Sequence, residues 1–335
     1  MYNIEEIRHV HLEISSRCNA ACPQCPRNFN GYPYNDGYAE VDLSLDAVKT
    51  ILAPEFVRQL NQVNINGNFG DFVMNPQAVE IVEYLLACNP HLDLTVDTNG
   101  SARNKDFWAR LGATGCTVYF DLDGLEDTHS IYRRNTNWAN IVRNAQTFAQ
   151  AGGRAVWKMI VFEHNKHQVD QCRQASRQLG FADFISFASD RTASPVFDRQ
   201  GNYLYDINDY QGIREFPILF EKRTTDQVLI EDVNPAYKPY ISCQVKQQKS
   251  IYIAATGEVS PCCFLGLSPK TYGHGAYHQA ANGQLHHMIK KNNALEYPLN
   301  ECIEWFSAVE NTWNIKDFNQ GRLIICNDVC GKNNK

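Results

Sequence analysis

The run Ile7-Arg8-His9-Val10-His11-Leu12-Glu13-Ile14-Ser15-Ser16-Arg17-Cys18-Asn19-Ala20-Ala21-Cys22-Pro23-Gln24-Cys25-Pro26 decides how this chain is read. Residues 7–15 alternate: Val10, Leu12 and Ile14 share one face of an extended strand, and His9, His11 and Glu13 take the other. Cys18, Cys22 and Cys25 follow at once. Spacings of four and three would also align three thiols along a helix, where they would read as a buried apolar stripe. Pro23 and Pro26 argue against that, because each costs about 3 kcal/mol inside a helix. The segment therefore reads as a loop after a strand. A zinc site needs a fourth ligand, and neither Cys nor His occurs between residues 28 and 40. Three thiolates suit a cubane iron–sulfur cluster and leave one iron open to a non-protein ligand.

Outward from that loop, residues 7–187 alternate short apolar runs with amphipathic stretches of helical period, the mark of repeated βα units and a parallel sheet. Six strands are predicted, at 7–15, 62–66, 92–97, 116–122, 155–162 and 183–187. Helices are predicted at 45–60, 76–88, 104–111, 138–151 and 166–179, with Gly112, Gly152, Gly153 and Gly180 at their stops. The fold class is α/β: a partial (β/α)6 barrel over residues 1–191 and a small C-terminal α+β domain over 243–335. Between them, residues 192–242 lose the βα rhythm and gather Pro195, Pro217, Pro235 and Pro239, as expected of a connecting segment with short elements that covers the barrel mouth.

Composition bounds the function. At 335 residues and 44% hydrophobic content the chain can bury a sizeable core. A net charge of −6 with scattered Lys and Arg gives no bulk nucleic-acid footprint, though a local basic groove stays open. No apolar run approaches a membrane span, and the first residues lack a signal-peptide pattern, so the expected location is the cytoplasm. Twelve cysteines in a long, unsignalled chain read as reduced thiols rather than a disulfide framework. Cys88, Cys116 and Cys172 fall within apolar patterns and read as core.

CxxxCxxC directly after a strand resembles the signature of the radical S-adenosylmethionine (SAM) superfamily. The resemblance implies that Cys18, Cys22 and Cys25 hold a [4Fe-4S] cluster whose open iron chelates SAM. It further implies reductive cleavage to a 5′-deoxyadenosyl radical and abstraction of a substrate hydrogen, with an electron donor such as flavodoxin or ferredoxin. Residues 66–76, Asn-Gly-Asn-Phe-Gly-Asp-Phe-Val-Met-Asn-Pro, resemble the family's glycine-rich segment, so Gly67, Asn68, Gly70 and Asp71 become candidate SAM contacts. Asp71 stands where Glu is commoner. Thr98 and Asn99 resemble the strand-end segment that approaches SAM, and the fifth-strand run 157–165 adds Lys158 and Asn165 as cofactor candidates. Asp121, Asp123 and Arg191, in the loops ending the fourth and sixth strands, are the candidate catalytic residues. Asn, Asp and Gly are also default turn formers, and the two aspartates would equally cap a helix or pair with Arg133 and Arg134.

A second cysteine group resembles the SPASM and twitch extensions of the same superfamily. Cys243 precedes a legible hairpin, residues 250–254 and 258–261 about Thr256-Gly257, which leads to Cys262 and Cys263, and Cys326 and Cys330 follow. The resemblance implies one auxiliary [4Fe-4S] cluster on Cys243, Cys262, Cys326 and Cys330, with Cys263 and Cys302 in reserve. Four cysteines would also bind zinc. The expected reaction is a two-electron oxidation of a small polar molecule or a peptide. The motif's place at residue 18 leaves no room for an N-terminal leader-binding domain, which favours a small or short substrate. The alternatives are a redox-neutral rearrangement, modification of a nucleotide or nucleic-acid base, and a non-catalytic iron–sulfur or zinc protein on the same fold.

Overall fold

The alternation of residues 7–15 becomes β1 (His9–Leu12), with Val10 and Leu12 buried and His9 and His11 half-buried on the opposite face. The computed structural model describes residues 1–33, 39–189, 194–207, 236–267 and 283–333. The same two-sided pattern repeats in β2 (Gln62–Ile65) and β4 (Thr117–Asp121), while β3 (Asp93–Thr98) and β5 (Arg154–Val161) are buried over most of their length, and β6 (Asp183–Ala188) follows. These six strands are parallel and adjacent in chain order, so each is hydrogen-bonded to the next. Register aligns Val10, Val63, Leu94 and, through Val96, Val118 on one side of the sheet. It aligns His11, Asn64, Thr95 and Thr117 on the other, making that face a polar lumen.

Helices cover the apolar side. They are α1 (Leu45–Ile51), α2 (Pro54–Gln59), α3 (Ala78–Cys88), α4 (Lys105–Ala113), α5 (Glu126–Tyr132), α6 (Trp138–Gln150) and α7 (Val169–Gln178). Val48, Ile81, Leu85, Trp108, Phe148 and Cys172 pack with the strands' buried faces in one core. Cys116 lies in that core and Cys88 against it, as expected. The single helix expected at 45–60 is two, because Pro54 lacks the N–H that would continue α1 and instead starts α2. Helix α5 was not anticipated; its Thr128, His129 and Tyr132 are buried beneath a short, largely polar sequence.

The described part of the connecting segment forms an antiparallel pair, β7 (Ser194–Phe197) and β8 (Tyr203–Ile207). Val196 and Ile207 pack against Ala20, Cys22, Tyr132 and Phe162, so this pair covers the first cysteine loop. After α8 (Gln244–Gln248) comes the expected hairpin, β9 (Ser250–Ile253) and β10 (Val259–Ser260), with Gly257 at φ +90° in the turn. The hairpin joins the barrel sheet: β9 lies parallel to β1 on the edge away from β2, with Tyr252 beside His11. The C-terminal helices α9 (Cys263–Leu267), α10 (Leu299–Cys302), α11 (Phe306–Asn311) and α12 (Ile324–Cys330) follow. Their Leu265, Phe306, Val309 and Ile325 belong to the same core as the barrel. Among the described residues no helix is long and apolar enough to cross a membrane.

Candidate active site

Residues 16–27 contain no helix, and the cysteines stand at turns, with Cys25 N–H donating to the Cys22 carbonyl at 3.1 Å. The loop is pinned from both sides. Ala21 N–H donates to the Arg134 carbonyl (2.9 Å), and the Arg27 guanidinium reaches the Ser16 carbonyl (2.5 Å). Tyr132, Phe162, Val196 and Ile207 form an apolar wall around Cys22, against which Cys18 and Cys25 pack. Burial pushes the Cys18 thiol well up and Cys22 up to about 12, and the three sulfurs lie close enough to influence one another electrostatically. The donor set is three soft thiols from one loop, screened from water on one side. This fits a three-thiolate cluster, which would supply the positive charge that stabilises the thiolates.

Beside the loop, Asp71 gathers the ends of β2 and β3. One carboxylate oxygen accepts from the Thr98 hydroxyl (2.6 Å) and Val73 N–H (3.1 Å), and the other from Asn99 N–H (2.8 Å) and Asn99 Nδ2 (2.7 Å). Burial raises its pKa although the bonds from Asn99 N–H, the Thr98 hydroxyl and Val73 N–H oppose the shift. Asn99 also reaches Asn19 (3.0 Å) and Cys18 Sγ (3.9 Å), linking Asp71, Thr98 and Asn99 to the cysteine loop. Gly70 lies against that loop's entrance: a Cβ there would stand 1.7 Å from the Ser15 carbonyl oxygen, so only glycine fits. Gly67 begins the same turn, and Asn68 donates to the Cys263 carbonyl (2.9 Å).

Glu13, which sequence reasoning did not single out, holds this turn in place. Its Oε1 accepts from Phe69 N–H (2.8 Å) and Gly70 N–H (2.9 Å), and its Oε2 from the Tyr252 hydroxyl (2.6 Å). The alternation of residues 7–15 puts Glu13 on the lumen face, which was the available signal; its partners are remote in sequence.

The ion pairs of β3, β4 and β5 form a charged layer at the strands' C-terminal ends. Lys158 bonds to Asp97 and lies 3.3 Å from Asp121; Arg133 lies 3.3 Å from Asp121 and 2.6 Å from Asp123. Burial works against both cations, but the aspartates hold Lys158 and Arg133 protonated, with raised pKa values. The two catalytic candidates differ. Asp123 is fully buried, its Oδ1 taken by Ile160 N–H (2.7 Å) and its Oδ2 by Arg133. Asp121 continues the lumen face of Thr117 and Tyr119. Asn165 is fully buried, accepting from Phe162 N–H (2.7 Å) and donating to the Ile160 (3.0 Å) and Asp123 (3.2 Å) carbonyls, so its amide fastens its own loop. Arg191 lies outside the described residues.

The second cysteine group also assembles. Cys243, Cys262, Cys326 and Cys330 line one small cavity walled by Leu265, Val309, Trp313 and Ile325. The Cys330 thiol donates to Cys243, which, with the N–H groups of α8, draws Cys243 down to about 7 and raises Cys330. Burial pushes Cys262 well up and Cys326 up to about 12. Four thiols in an apolar shell fit a closed four-thiolate site. Among the described residues no three His, Cys, Asp or Glu converge closely enough for a single ion. Cys302 is buried elsewhere in the core, its thiol 3.6 Å from the Tyr297 carbonyl, and Cys263 faces the lumen beside Tyr252. Two further residues position the group: Asn327 and buried Arg322 bind backbone at 236–238, Asn327 to the Ala236 carbonyl (2.9 Å).

Residues 12–171 match the profile of the radical SAM superfamily, and this part of the chain is a radical SAM domain. Superfamily members are enzymes. Among solved structures, SuiB of Streptococcus suis bound to S-adenosylmethionine is similar at 14% identity and a TM-score of 0.55, over 88% of this chain and 65% of SuiB. Thus the chain spans just under two thirds of SuiB. The structure of anSMEcpe with bound AdoMet is similar at 13% identity and a TM-score of 0.53, over 89% of this chain and 77% of that one. These likenesses bear out the partial-barrel fold. No curated protein matches the chain.

Proposed function

We propose that the protein is a SAM-dependent radical enzyme that oxidises a small polar molecule or a peptide by two electrons, using one auxiliary [4Fe-4S] cluster. The observation that carries this reading is the buried three-thiol loop at the C-terminal end of β1, tied through Asn99 to the strand ends ordered by Asp71. With electrons from a donor such as flavodoxin or ferredoxin, the bound cluster supplies the reductive cleavage of SAM that yields the hydrogen-abstracting radical. Gly67, Asn68, Gly70, Thr98 and Asn99 line the turn and strand end offered to SAM, and Asp71 holds both in register. Lys158, held by Asp97 and Asp121, is the cofactor candidate of the charged layer at the strand ends.

Removing a hydrogen atom, one electron and one proton oxidises the substrate by two electrons. Of the candidate carboxylates, Asp121 faces the lumen and can take the proton, while Asp123 holds Arg133. The auxiliary cluster on Cys243, Cys262, Cys326 and Cys330 would take the electron. SuiB is also solved bound to the precursor peptide SuiA, which keeps a peptide among the candidates.

Anaerobic reconstitution with SAM and dithionite tests the reading. The expected result is about eight irons per chain, as two cubanes require, and steady formation of 5′-deoxyadenosine. Intact clusters without 5′-deoxyadenosine overturn it, and about four irons with one zinc overturn the auxiliary cluster. Once a substrate is in hand, Asp121→Asn should slow product formation by about 10²-fold or more while SAM binding persists.

A further inference from the structure

The cavity of the second cysteine group is about 20 Å³, so its walls stand close together. Among its described lining residues, Trp313 is the one besides the cysteines whose side chain carries a hydrogen-bond donor. Its position is fixed from two sides. Trp313 lies in the single turn Thr312–Asn314 that follows α11, and its carbonyl accepts from the buried Arg322 guanidinium (2.8 Å). Lys246 of α8 lies 5.6 Å from the centre of the indole ring and is itself bound by Glu310 of α11. A cation at the ring face draws on the π electrons and leaves the N–H the more positive end.

The sulfurs already receive main-chain donors: the N–H groups of Lys246 and Val245 at Cys243, and that of Leu265 at Cys262. The Trp313 Nε1–H differs, because it is buried and makes no hydrogen bond of ordinary geometry within the protein. It faces Cys326, whose thiol is pushed up to about 12 by burial while the indole opposes the rise. A buried donor left unpaired is costly. A neutral thiol is a weak acceptor and cannot satisfy it, whereas an ionised sulfur can. Trp305 offers a contrast: its Nε1–H is also buried and without a partner, but it does not line this cavity.

We infer that Trp313 is a positioning residue of the second cysteine group, whose indole N–H donates to the Cys326 sulfur in the cluster-loaded protein and raises the reduction potential of the centre held there. This rests on the auxiliary-cluster reading. N–H donors to cluster sulfurs stabilise the reduced, more negative state, so each one moves the potential upward. That is the direction required of a centre that takes one electron from a substrate radical. Of the donors to these sulfurs named above, the indole is the one a substitution can remove, since the others are main chain.

A redox titration of the reconstituted full chain, followed by EPR at the reduced signal that SAM does not perturb, tests the inference. Trp313→Phe keeps an aromatic face toward Lys246 and removes the N–H. It should lower the midpoint of that signal by about 40 mV, a fivefold change in the one-electron reduction equilibrium. Trp305→Phe should leave the midpoint in place. The wild type supplies a second readout: protein labelled with indole-¹⁵N tryptophan should show a weak ¹⁵N coupling at the same signal. If Trp313→Phe fails to hold its second cluster, the labelled wild type decides. Absence of the coupling overturns the inference, as does an unchanged midpoint in Trp313→Phe or an equal fall in Trp305→Phe. About four irons with one zinc, and no second signal, overturns it together with the auxiliary cluster. A second signal without the coupling overturns the inference alone. Failure to form 5′-deoxyadenosine in the separate reductive assay would sink the radical reading and leave the midpoint and coupling standing.

Discussion

At the residue scale, buried carboxylates do the ordering. Asp71 accepts four hydrogen bonds from three residues, two of them from Asn99, which also touches Cys18. Replacing it with alanine strands buried donors, each costing about 1–3 kcal/mol. Asp71→Ala should therefore lower the unfolding free energy by about 3 kcal/mol or more, read by denaturant titration of the cluster-free protein. It should also weaken SAM binding to the loaded protein at least tenfold; a variant of unchanged stability would show that these bonds are not made. Glu13 works alike, and its case explains what the sequence concealed. The alternation of residues 7–15 placed it on the lumen face, but its partners are 56, 57 and 239 residues away, and no local pattern announces such pairings. The three cysteines were legible because they fall within one short segment, Cys18 to Cys25. Asp121 and Asp123 were legible as a pair but not as different, since only burial separates them.

At the element scale, strands announced themselves and one helix did not. Val10 and Leu12, Val63 and Ile65, Leu94 and Val96 alternate with polar lumen residues, so period two was plain from the chain. Helix α5 was hidden because its seven residues, Glu-Asp-Thr-His-Ser-Ile-Tyr, carry almost no apolar stripe. Its buried anchor is polar instead. The His129 ring accepts Asp123 N–H at Nδ1 (3.2 Å) and donates through Nε2 to Thr136 (2.9 Å), which requires the neutral form. Burial, aided by the charge of Arg133, lowers its pKa from 6.5 to about 3. Because the folded value lies below the unfolded one, this contribution is complete above pH 6.5 and is lost as pH falls toward about 3. The loss should be of the order of a few kcal/mol. Unfolding free energy should thus fall across that window, and His129→Gln, which can keep both bonds without titrating, should flatten the slope. An unchanged slope in the variant would show that α5 is not held by a neutral ring.

At the scale of the whole molecule, the barrel and the C-terminal segment are bound by a shared sheet. The hairpin was readable from Thr256-Gly257 and its flanking alternation, but its destination was not, because parallel pairing of β9 with β1 joins residues 241 positions apart. That pairing has two consequences. It gives β1 a partner on both edges, and it brings Tyr252 against Glu13, so the Phe69–Gly70 turn is braced by the segment that carries the second cysteine group. The apolar core is continuous across the junction: Ile251 and Ile253 of β9, and Leu265 and Phe306 beyond it, belong to the cluster of Val10 and Leu12. Ending the chain after Ser242 would uncover one edge and part of the core of the strand that leads into the first cysteine loop. An exposed apolar edge strand promotes aggregation. The truncated protein should be insoluble, or soluble with a non-cooperative thermal transition, whereas the full chain should unfold with its barrel and hairpin together. The milder Tyr252→Phe removes one hydrogen bond to a carboxylate and should cost about 1.5–3 kcal/mol. Its effect should extend to SAM, weakening binding severalfold through Glu13 and the Phe69–Gly70 turn. A truncated barrel that folds cooperatively and binds SAM as the full chain does would show that the hairpin only decorates the sheet; failure of both the truncation and Tyr252→Phe would show that SAM binding depends on the C-terminal segment for its geometry.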